Sequence, residues 1–470
     1  MDLSQKRLIT IISVVSLVSA AIGPHFLNTL FALVPIVVII TLFFKLRNPI
    51  FLTIFLALIF QWFQINIKII YGNLANIPLD LQFSFHQDVD FLYSANSLSN
   101  IGLIFFAIGL YFPLKKRFKD FDLLHALNAD YSPKKILKIY IIFSIGISFL
   151  FLVRNSIPGI NTIVVAFSKL KWGLLLLTVV YCNVFDKKKK LLYTVIAAEV
   201  FLGFTGYFSA FKDIILVIVL ALLSMQKELN SRALAKFSFI FIIGLSLGLL
   251  WSAIKMDYRS YLAGGEYSQK VVVSKTEAIN EMINQMSDVT LEEVSFASEA
   301  LLDRVSYIEF FSIVLRNVPN YMPYEDGSII KESTLYYFRP RIFFPDKPVI
   351  DDSDHTNKYT NLDLMDDGKA SHSIGFMTDA YIDFGPYGMM ILLLVIGYVF
   401  GWSMNFLIIK SPNMFWAIIF ITPFYFLISV YSFNMIKVIG NFITYMVPVY
   451  LLRNILYKSF DRYFRVSQNG

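Results

Sequence analysis

Charged residues are scarce in this sequence. Lys, Arg, Asp and Glu make up 16% of its 470 residues, whereas hydrophobic residues make up 56%. A soluble domain usually carries about 25% charged residues, so the composition argues against a soluble globular fold. The chain has one cysteine, Cys182, which excludes an intramolecular disulfide. No small-residue cleavage site follows the first apolar run, after Lys6 and Arg7, so this run is interpreted as a retained helix and not a signal peptide.

The sequence instead contains many long apolar runs. A membrane-spanning helix needs about 20 mostly apolar residues, and we count about a dozen such runs. They begin near Leu8, Leu27, Ile50, Ala95, Ile136, Ile163, Leu191, Phe211, Phe237, Tyr387, Phe415 and Ile436. Lys169 and Lys171 interrupt the sixth run, so residues 157–168 could instead form a surface or re-entrant segment. The sequence therefore predicts an all-α polytopic membrane protein with about 12 transmembrane helices.

The basic residues predict how these helices are oriented. With both termini in the cytoplasm, more than half of the 41 Lys and Arg lie on the cytoplasmic side, and few lie in short outer segments. This distribution follows the positive-inside rule for a multi-pass protein of the bacterial inner (cytoplasmic) membrane. The net charge of +7 is then a topology signal, so the expected surroundings are the lipid bilayer, with no nucleic-acid partner.

One long polar segment divides the chain into three regions. Residues 1–256 contain predicted helices 1–9, residues 257–386 form a large periplasmic loop, and residues 387–470 contain helices 10–12 and a cytoplasmic C-terminus. In the loop, Thr290 and Glu293 match a capping box and precede apolar residues at helical spacing, so the loop is partly helical. The tract 332–387 is rich in Pro, Gly and Asp and predicts irregular structure that could act as an active-site lid.

The string RPRIFFPDKP at residues 339–348 is the first candidate for chemistry. Its three prolines fix the backbone outside helix and strand. This rigid segment carries the basic residues Arg339, Arg341 and Lys347. The planar guanidinium of arginine suits bidentate phosphate binding. The alternative is a solvated basic turn that pairs with the acidic loop around it.

This string resembles the motif before the last spans of Wzy-type polymerases, which assemble oligosaccharide repeat units of O-antigen (lipopolysaccharide) and capsule. A second match is His372-Ser373, Gly375, the triplet 379–381 and the FGPYG string 384–388, which resembles the same stretch in these polymerases and in O-antigen ligases. The resemblance covers the chain from span seven onward and implies a GT-C-like membrane glycosyltransferase. The implied reaction joins undecaprenyl-pyrophosphate-linked glycans at the periplasmic face and releases undecaprenyl pyrophosphate. It implies no cofactor and no metal, and it admits a chain-length regulator as a further partner.

The resemblance also implies roles for individual residues. Arg259, just past span nine, matches a phosphate-binding arginine of the family; its alternative role is contact with the membrane interface. Lys212 stands near a family arginine position and could contact pyrophosphate as a point charge. Arg304 could reach the same substrate or pair with Asp303.

His372 resembles the ligase histidine that activates the acceptor, with a plain loop histidine as the alternative. Asp379 and Asp383 are rival candidates for the general base, because either carboxyl is ionised at neutral pH.

Glu199, near the middle of the seventh run, is costly in a bilayer unless it is paired or hydrated. It marks either a proton or substrate path or a protonated carboxyl bonded to another helix.

The leading hypothesis is a lipid-linked repeat-unit polymerase. The first alternative is an O-antigen ligase that transfers glycan to lipid A-core. The second is a twelve-helix transporter, which Glu199 favours, although no similarity between two halves of the chain supports it.

Overall fold

The computed structural model describes residues 2–465 apart from 84, 86, 117–121, 128–130, 154–159, 205–210, 266–271, 307, 340–343, 345–346, 348–349 and 365–371. Within these residues the fold is helical, with one short 3₁₀ helix, Leu79–Gln82. The helices of the N-terminal half are α1 (Leu3–Ile22), α2 (Phe26–Phe43), α3 (Pro49–Ala75), α4 (Val89–Leu114), α5 (Leu123–Ala126), α6 (Pro133–Val153), α7 (Ile160–Val184), α8 (Lys189–Phe204), α9 (Phe211–Ser224) and α10 (Ser231–Leu262).

The C-terminal half begins with five helices in the polar segment and ends with four apolar ones. They are α11 (Lys275–Asp288), α12 (Leu291–Val305), α13 (Ile308–Asn317), α14 (Ser328–Tyr337), α15 (Asp352–Thr360), α16 (Phe376–Lys410), α17 (Met414–Ile421), α18 (Phe424–Ile428) and α19 (Met435–Phe464). The predicted capping box is confirmed: Thr290 and Glu293 bond each other's backbone N–H at the start of α12.

Eight helices in the described residues are long and apolar enough to cross a membrane, which confirms a helical membrane protein. They comprise α1–α4, Val164–Val184 within α7, α10, α16 and α19. Each of the twelve predicted starts falls on a helix or just before one, but α6, α8, α9 and the α17–α18 pair are outside these eight. The total of 12 therefore stays a prediction.

The expectation of irregular structure over 332–387 was wrong in part, since the described residues between the helices of this tract are irregular. This tract contains the end of α14, all of α15 and the beginning of α16. The helix α16 is kinked at Gly385, whose φ of 65° lies in the left-handed region, and Pro386 follows. A side chain at position 385 would press on the ring of Tyr324, so glycine suits both the backbone and the space. A short segment, Phe376 to Phe384, thus stands before the apolar part of α16.

The centre of the bundle is the pair α4 and α16. Gly397 and Gly401 are spaced as a G-x-x-x-G motif on α16, and a Cβ on either would collide with a carbonyl of α4, Phe106 O or Leu110 O. Gly109 of α4 approaches Leu394 in the same way. Small residues at such a seam let two backbones approach closely and pack well in a membrane. This seam positions the N-terminal end of α16, which carries Asp379 and Asp383.

Candidate active site

A polar cavity of about 290 Å³ lies where α14 and α15 meet the first turns of α16 and α19. Side chains from all four helices and from the turn before α14 line it. The polar members are Glu325, Ser328, Glu332, Ser333, Tyr336, Asp351, His355, Lys358, Tyr359, Asp379 and Asn434. The cavity therefore joins residues that lie up to about a hundred positions apart in the sequence.

His355 and Asp379 form the central pair of this cavity. The Nε2 atom of His355 lies 2.7 Å from Oδ1 of Asp379. The histidine side chain is 26% exposed and the aspartate side chain 1% exposed, so the imidazole faces the cavity and the carboxylate lies behind it. Nδ1 of His355 makes no hydrogen bond within the described part of the chain. The pair thus presents one imidazole nitrogen to the cavity and holds the other on a carboxylate.

The carboxylate of Asp379 shifts the protonation equilibrium of His355 towards the imidazolium. Burial alone would lower the pKa of His355, but the Asp379 carboxylate raises it, and the net pKa lies above the ordinary value of 6.5. A raised pKa means that the folded state holds the proton more strongly than the unfolded state. The resulting stability is fully present below the ordinary histidine range and is lost as the pH rises through the raised pKa.

Asp379 is itself held by the beginning of α19. Its Oδ2 accepts a hydrogen bond from the backbone N–H of Met435, at 2.6 Å. The first N–H groups of a helix lack partners within the helix and carry partial positive charge, which stabilises an anion there. Asp379 therefore links α16 to α19 with one oxygen and orients His355 with the other.

Asp383 lies one helical turn after Asp379 and caps a different helix. Its two carboxylate oxygens accept hydrogen bonds from the backbone N–H groups of Ile329 and Ile330, both at 2.9 Å. These donors belong to the first turn of α14, after Gly327. Asp383 is fully buried, so this arrangement fixes α14 on α16. The spacing of four places both carboxylates on one face of α16.

A second charged group also lines the cavity. Lys358 lies 2.8 Å from Oε1 of Glu325, and the hydroxyl of Tyr359 donates to the same oxygen at 2.7 Å. These hydrogen bonds lower the pKa of Glu325. Burial, together with the Glu325 carboxylate, raises the pKa of Tyr359, so its hydroxyl stays protonated. The ring of Tyr359 also packs edge-on against the imidazole of His355, which helps to fix its orientation.

The helix α15, which carries His355, is anchored to α19 by its first residue. Asp352 accepts a hydrogen bond from the side-chain amide of Asn434, at 2.8 Å, and pairs with the ammonium of Lys437. Asp352 is 3% exposed. This anchor joins α15 to α19, and the His355–Asp379 contact joins α15 to α16, so the two contacts together hold the cavity in one shape.

His372, the sequence-predicted base, lies beside this cavity wall and is not among its lining residues. Its backbone N–H donates to the hydroxyl of Ser353, at 3.3 Å, and its carbonyl accepts from Thr356, at 2.9 Å. Its ring meets the ring of Phe310 edge-on. The role of His372 as a base stays a prediction, while its backbone supports α15, the helix of His355.

The string 339–348 is described only in part. Arg341 lies outside the described residues. Arg339 is exposed just after α14, and the ammonium of Lys347 lies 3.4 Å from the centre of the Tyr336 ring, which lines the cavity. Lys347 therefore reaches the cavity edge through a cation–π contact.

The predicted phosphate ligands are brought together elsewhere. Lys212 at the start of α9, Arg259 near the end of α10 and Arg304 near the end of α12 all lie within electrostatic range of Lys255 of α10. We call these four residues the cationic cluster. Asp303, the alternative partner of Arg304, instead pairs with Lys68 of α3. Four positive charges gathered on three helices favour an anionic ligand.

Glu199 is engaged in helix packing. Its Oε2 lies 2.8 Å from the ammonium of Lys171 on α7 and accepts from the hydroxyl of Tyr140 on α6, at 2.7 Å. This contact pairs the charge of Glu199 with the lysine that interrupts the sixth apolar run. A paired structural role thus accounts for both charges, which the sequence left open.

His355 at the centre of the cavity and Lys255 of the cationic cluster were not among the sequence-predicted residues. His355 lies in a polar tract without an apolar pattern, although the N-cap Asp351 was a readable helix signal. Lys255 follows an apolar run closely enough to resemble a topology signal. The described residues contain no group of three or more His, Cys, Asp or Glu side chains arranged as metal ligands.

The bundle and its cavity define this protein as a helical membrane protein with a charged site formed by the segment between α10 and α16. The family model described as "Domain of unknown function (DUF8712)" matches residues 49–459, and the chain belongs to this family. No curated protein and no solved structure matches the chain significantly.

Proposed function

We propose that this protein is a membrane glycosyltransferase that polymerises undecaprenyl-pyrophosphate-linked repeat units at the periplasmic face of the bacterial inner membrane. The observation that carries the proposal is the His355–Asp379 pair, which faces a polar cavity at the ends of two candidate spans. A histidine oriented by a carboxylate is a general base, and a hydroxyl acceptor requires one.

In the proposed reaction, Nδ1 of His355 takes the proton of a sugar hydroxyl, and that oxygen attacks the anomeric carbon of a second glycan. The new C–O bond forms as the bond from the anomeric carbon to the pyrophosphate oxygen breaks, and undecaprenyl pyrophosphate leaves with the electron pair. Asp379 accepts Nε2–H, selects the tautomer and stabilises the imidazolium that forms. Asp379 is thus a positioning residue, and His355 replaces His372 as the base in this proposal.

The cationic cluster supplies the charge for the leaving group. A departing pyrophosphate accumulates negative charge, which Lys212, Lys255, Arg259 and Arg304 offset. The proposal requires the cluster and the cavity to lie on one side of the membrane. None of the described helices α11–α15, which connect the end of α10 to the start of α16, qualifies as a candidate span. A lipid carrier anchored in the bilayer can therefore present its head group to both.

The decisive experiment uses the full-length protein in proteoliposomes with a lipid-linked repeat unit. The wild type should produce a ladder of chain lengths without nucleotide sugar, and His355→Gln should abolish the ladder. His125→Gln is the matched control, because His125 is exposed on the short helix α5. His372→Gln separates the two candidate bases, and wild-type ladders from His355→Gln would refute the assignment.

The O-antigen ligase remains the second candidate, because the same base and cation chemistry would serve it. Its distinguishing result is transfer of a finished glycan en bloc to lipid A-core, with no growth on the undecaprenyl carrier. A ladder on the carrier favours the polymerase.

A further inference from the structure

A second pocket lies at the other end of α19, far from the polar cavity. It is an apolar groove of about 110 Å³ between α6, α7, α17 and α19, and its walls include Ile142, Phe143, Leu174, Trp416, Phe460 and Phe464. The cavity adjoins Met435 and the groove adjoins Phe464, the two ends of a 30-residue helix. The lining residues that lie nearest each other on this helix are Ile436 and Leu456, so roughly 30 Å of helix separates the cavity from the groove.

The groove is preformed and has apolar walls. The only polar atom of the Trp416 indole, Nε1, donates to Asp461 at 3.1 Å, which leaves the ring free to form a wall. Asp461 also accepts from Arg465 at 3.0 Å and from the hydroxyl of Tyr131. A groove without polar partners cannot hold a sugar or a phosphate, but it suits a hydrocarbon chain.

The mouth of the groove carries positive charge. Lys135 and Lys138 precede Ile139 and Ile142 by four residues each, so they lie on the groove face of α6, one turn beyond it. The ammonium of Lys135 donates to the carbonyl of Arg465, at 2.6 Å, which brings this part of α19 next to α6.

The charge of Lys138 at the mouth is not balanced by a nearby acid. Lys138 is exposed and forms no ion pair within the part of the chain that the structure describes. Asp461, the acidic residue at this end of the groove, is already occupied by its three donors. The mouth therefore offers cations to a ligand.

We propose that this groove binds an anionic phospholipid, with one acyl chain in the groove and the phosphate at Lys135 and Lys138. Basic residues beside a cleft between membrane helices are a recurrent site for anionic lipid head groups. In a phospholipid a charged head is followed by an apolar tail. Along α6 the lysines are followed by the apolar walls of the groove in the same order. This site is independent of the proposed transferase activity.

The test is native mass spectrometry of the full-length protein with phosphatidylglycerol or phosphatidylcholine in equal amounts. Phosphatidylglycerol should be retained preferentially. Lys138→Ala should weaken its binding about fivefold, the equivalent of about 1 kcal/mol for one lysine at an anionic surface. Ile142→Trp should remove the binding of both lipids, because Ile142 is 53% exposed and a larger side chain there fills the groove without entering the core. Lys190→Ala, at an exposed lysine in the first turn of α8, is the matched control and should bind as the wild type does.

Three results would overturn the proposal. Equal retention of the two phospholipids would mean that the mouth does not select a head group. Wild-type binding by both Lys138→Ala and Ile142→Trp would place the lipid elsewhere. Displacement of phosphatidylglycerol by an equal amount of undecaprenyl phosphate would assign the groove to a polyprenyl chain.

Discussion

The pair of His355 and Asp379 can be tested by replacing the carboxylate alone. In Asp379→Asn the side chain keeps its shape, and its carbonyl oxygen can still accept the N–H of Met435, so α16 and α19 stay joined. The change removes the negative charge 2.7 Å from the imidazole. A charge-assisted hydrogen bond contributes about 1.5–3 kcal/mol. If that contribution is expressed in the transition state, the rate should fall about 10- to 150-fold.

The pH profile gives a second and more specific readout. A general base acts only when it is neutral, so the wild-type rate should rise as the pH rises through the raised pKa of His355. Without the Asp379 charge, burial remains and lowers the pKa. The rising limb in Asp379→Asn should therefore move to lower pH. A protein in which Asp379 serves only packing would show no such movement.

The assay is the initial rate of ladder formation in proteoliposomes, measured from about pH 5 to pH 9. Asp354→Asn is the matched control, since Asp354 is the exposed neighbour of His355 on α15. The double variant with His355→Gln should lose no more activity than His355→Gln alone, because the two residues act as a unit. An unshifted rising limb, or fully additive losses, would refute the reasoning.

The other contacts make three further predictions. Asp383→Ala leaves two buried N–H groups of α14 without an acceptor and should cost about 1–3 kcal/mol, seen as a lower melting temperature in detergent with unchanged expression. Glu199→Gln leaves Lys171 as an uncompensated charge and should destabilise the protein by about 3–5 kcal/mol, whereas a double change of both residues to Leu and Met should restore its melting temperature. Lys255→Ala should raise the KM for the lipid-linked substrate and reduce its dependence on salt, and an unchanged KM would remove Lys255 from the substrate site.

Local signals in the sequence identified some elements well. The Thr290–Glu293 capping box marks the beginning of α12, because all of its atoms lie within four residues. The predicted start near Tyr387 falls just after the kink at Gly385 and Pro386, where the apolar part of α16 begins. Such features depend only on neighbouring residues, so a sequence is enough to find them.

The helix α15 shows why other elements were missed. Its sequence has no apolar face, and its stability comes from partners distant in the chain. Asp352 meets Asn434 and Lys437, more than eighty positions away, and His355 meets Asp379, which is 24 positions away. The turn-forming residues of this tract predicted irregular structure. Contacts with residues distant in the chain produce no periodic pattern in the sequence, so nothing indicated the helix.

The sequence by itself determined that the chain is a helical membrane protein. The length and hydrophobicity of a run decide this, since a backbone in hydrocarbon must satisfy its own hydrogen bonds within a helix. The tertiary structure decided which charges meet: Asp379 with His355, Asp383 with α14, and Glu199 with Lys171. Carboxylates look alike in a sequence, and only the helix that packs against each one separates a positioning residue from a cap or a packing contact.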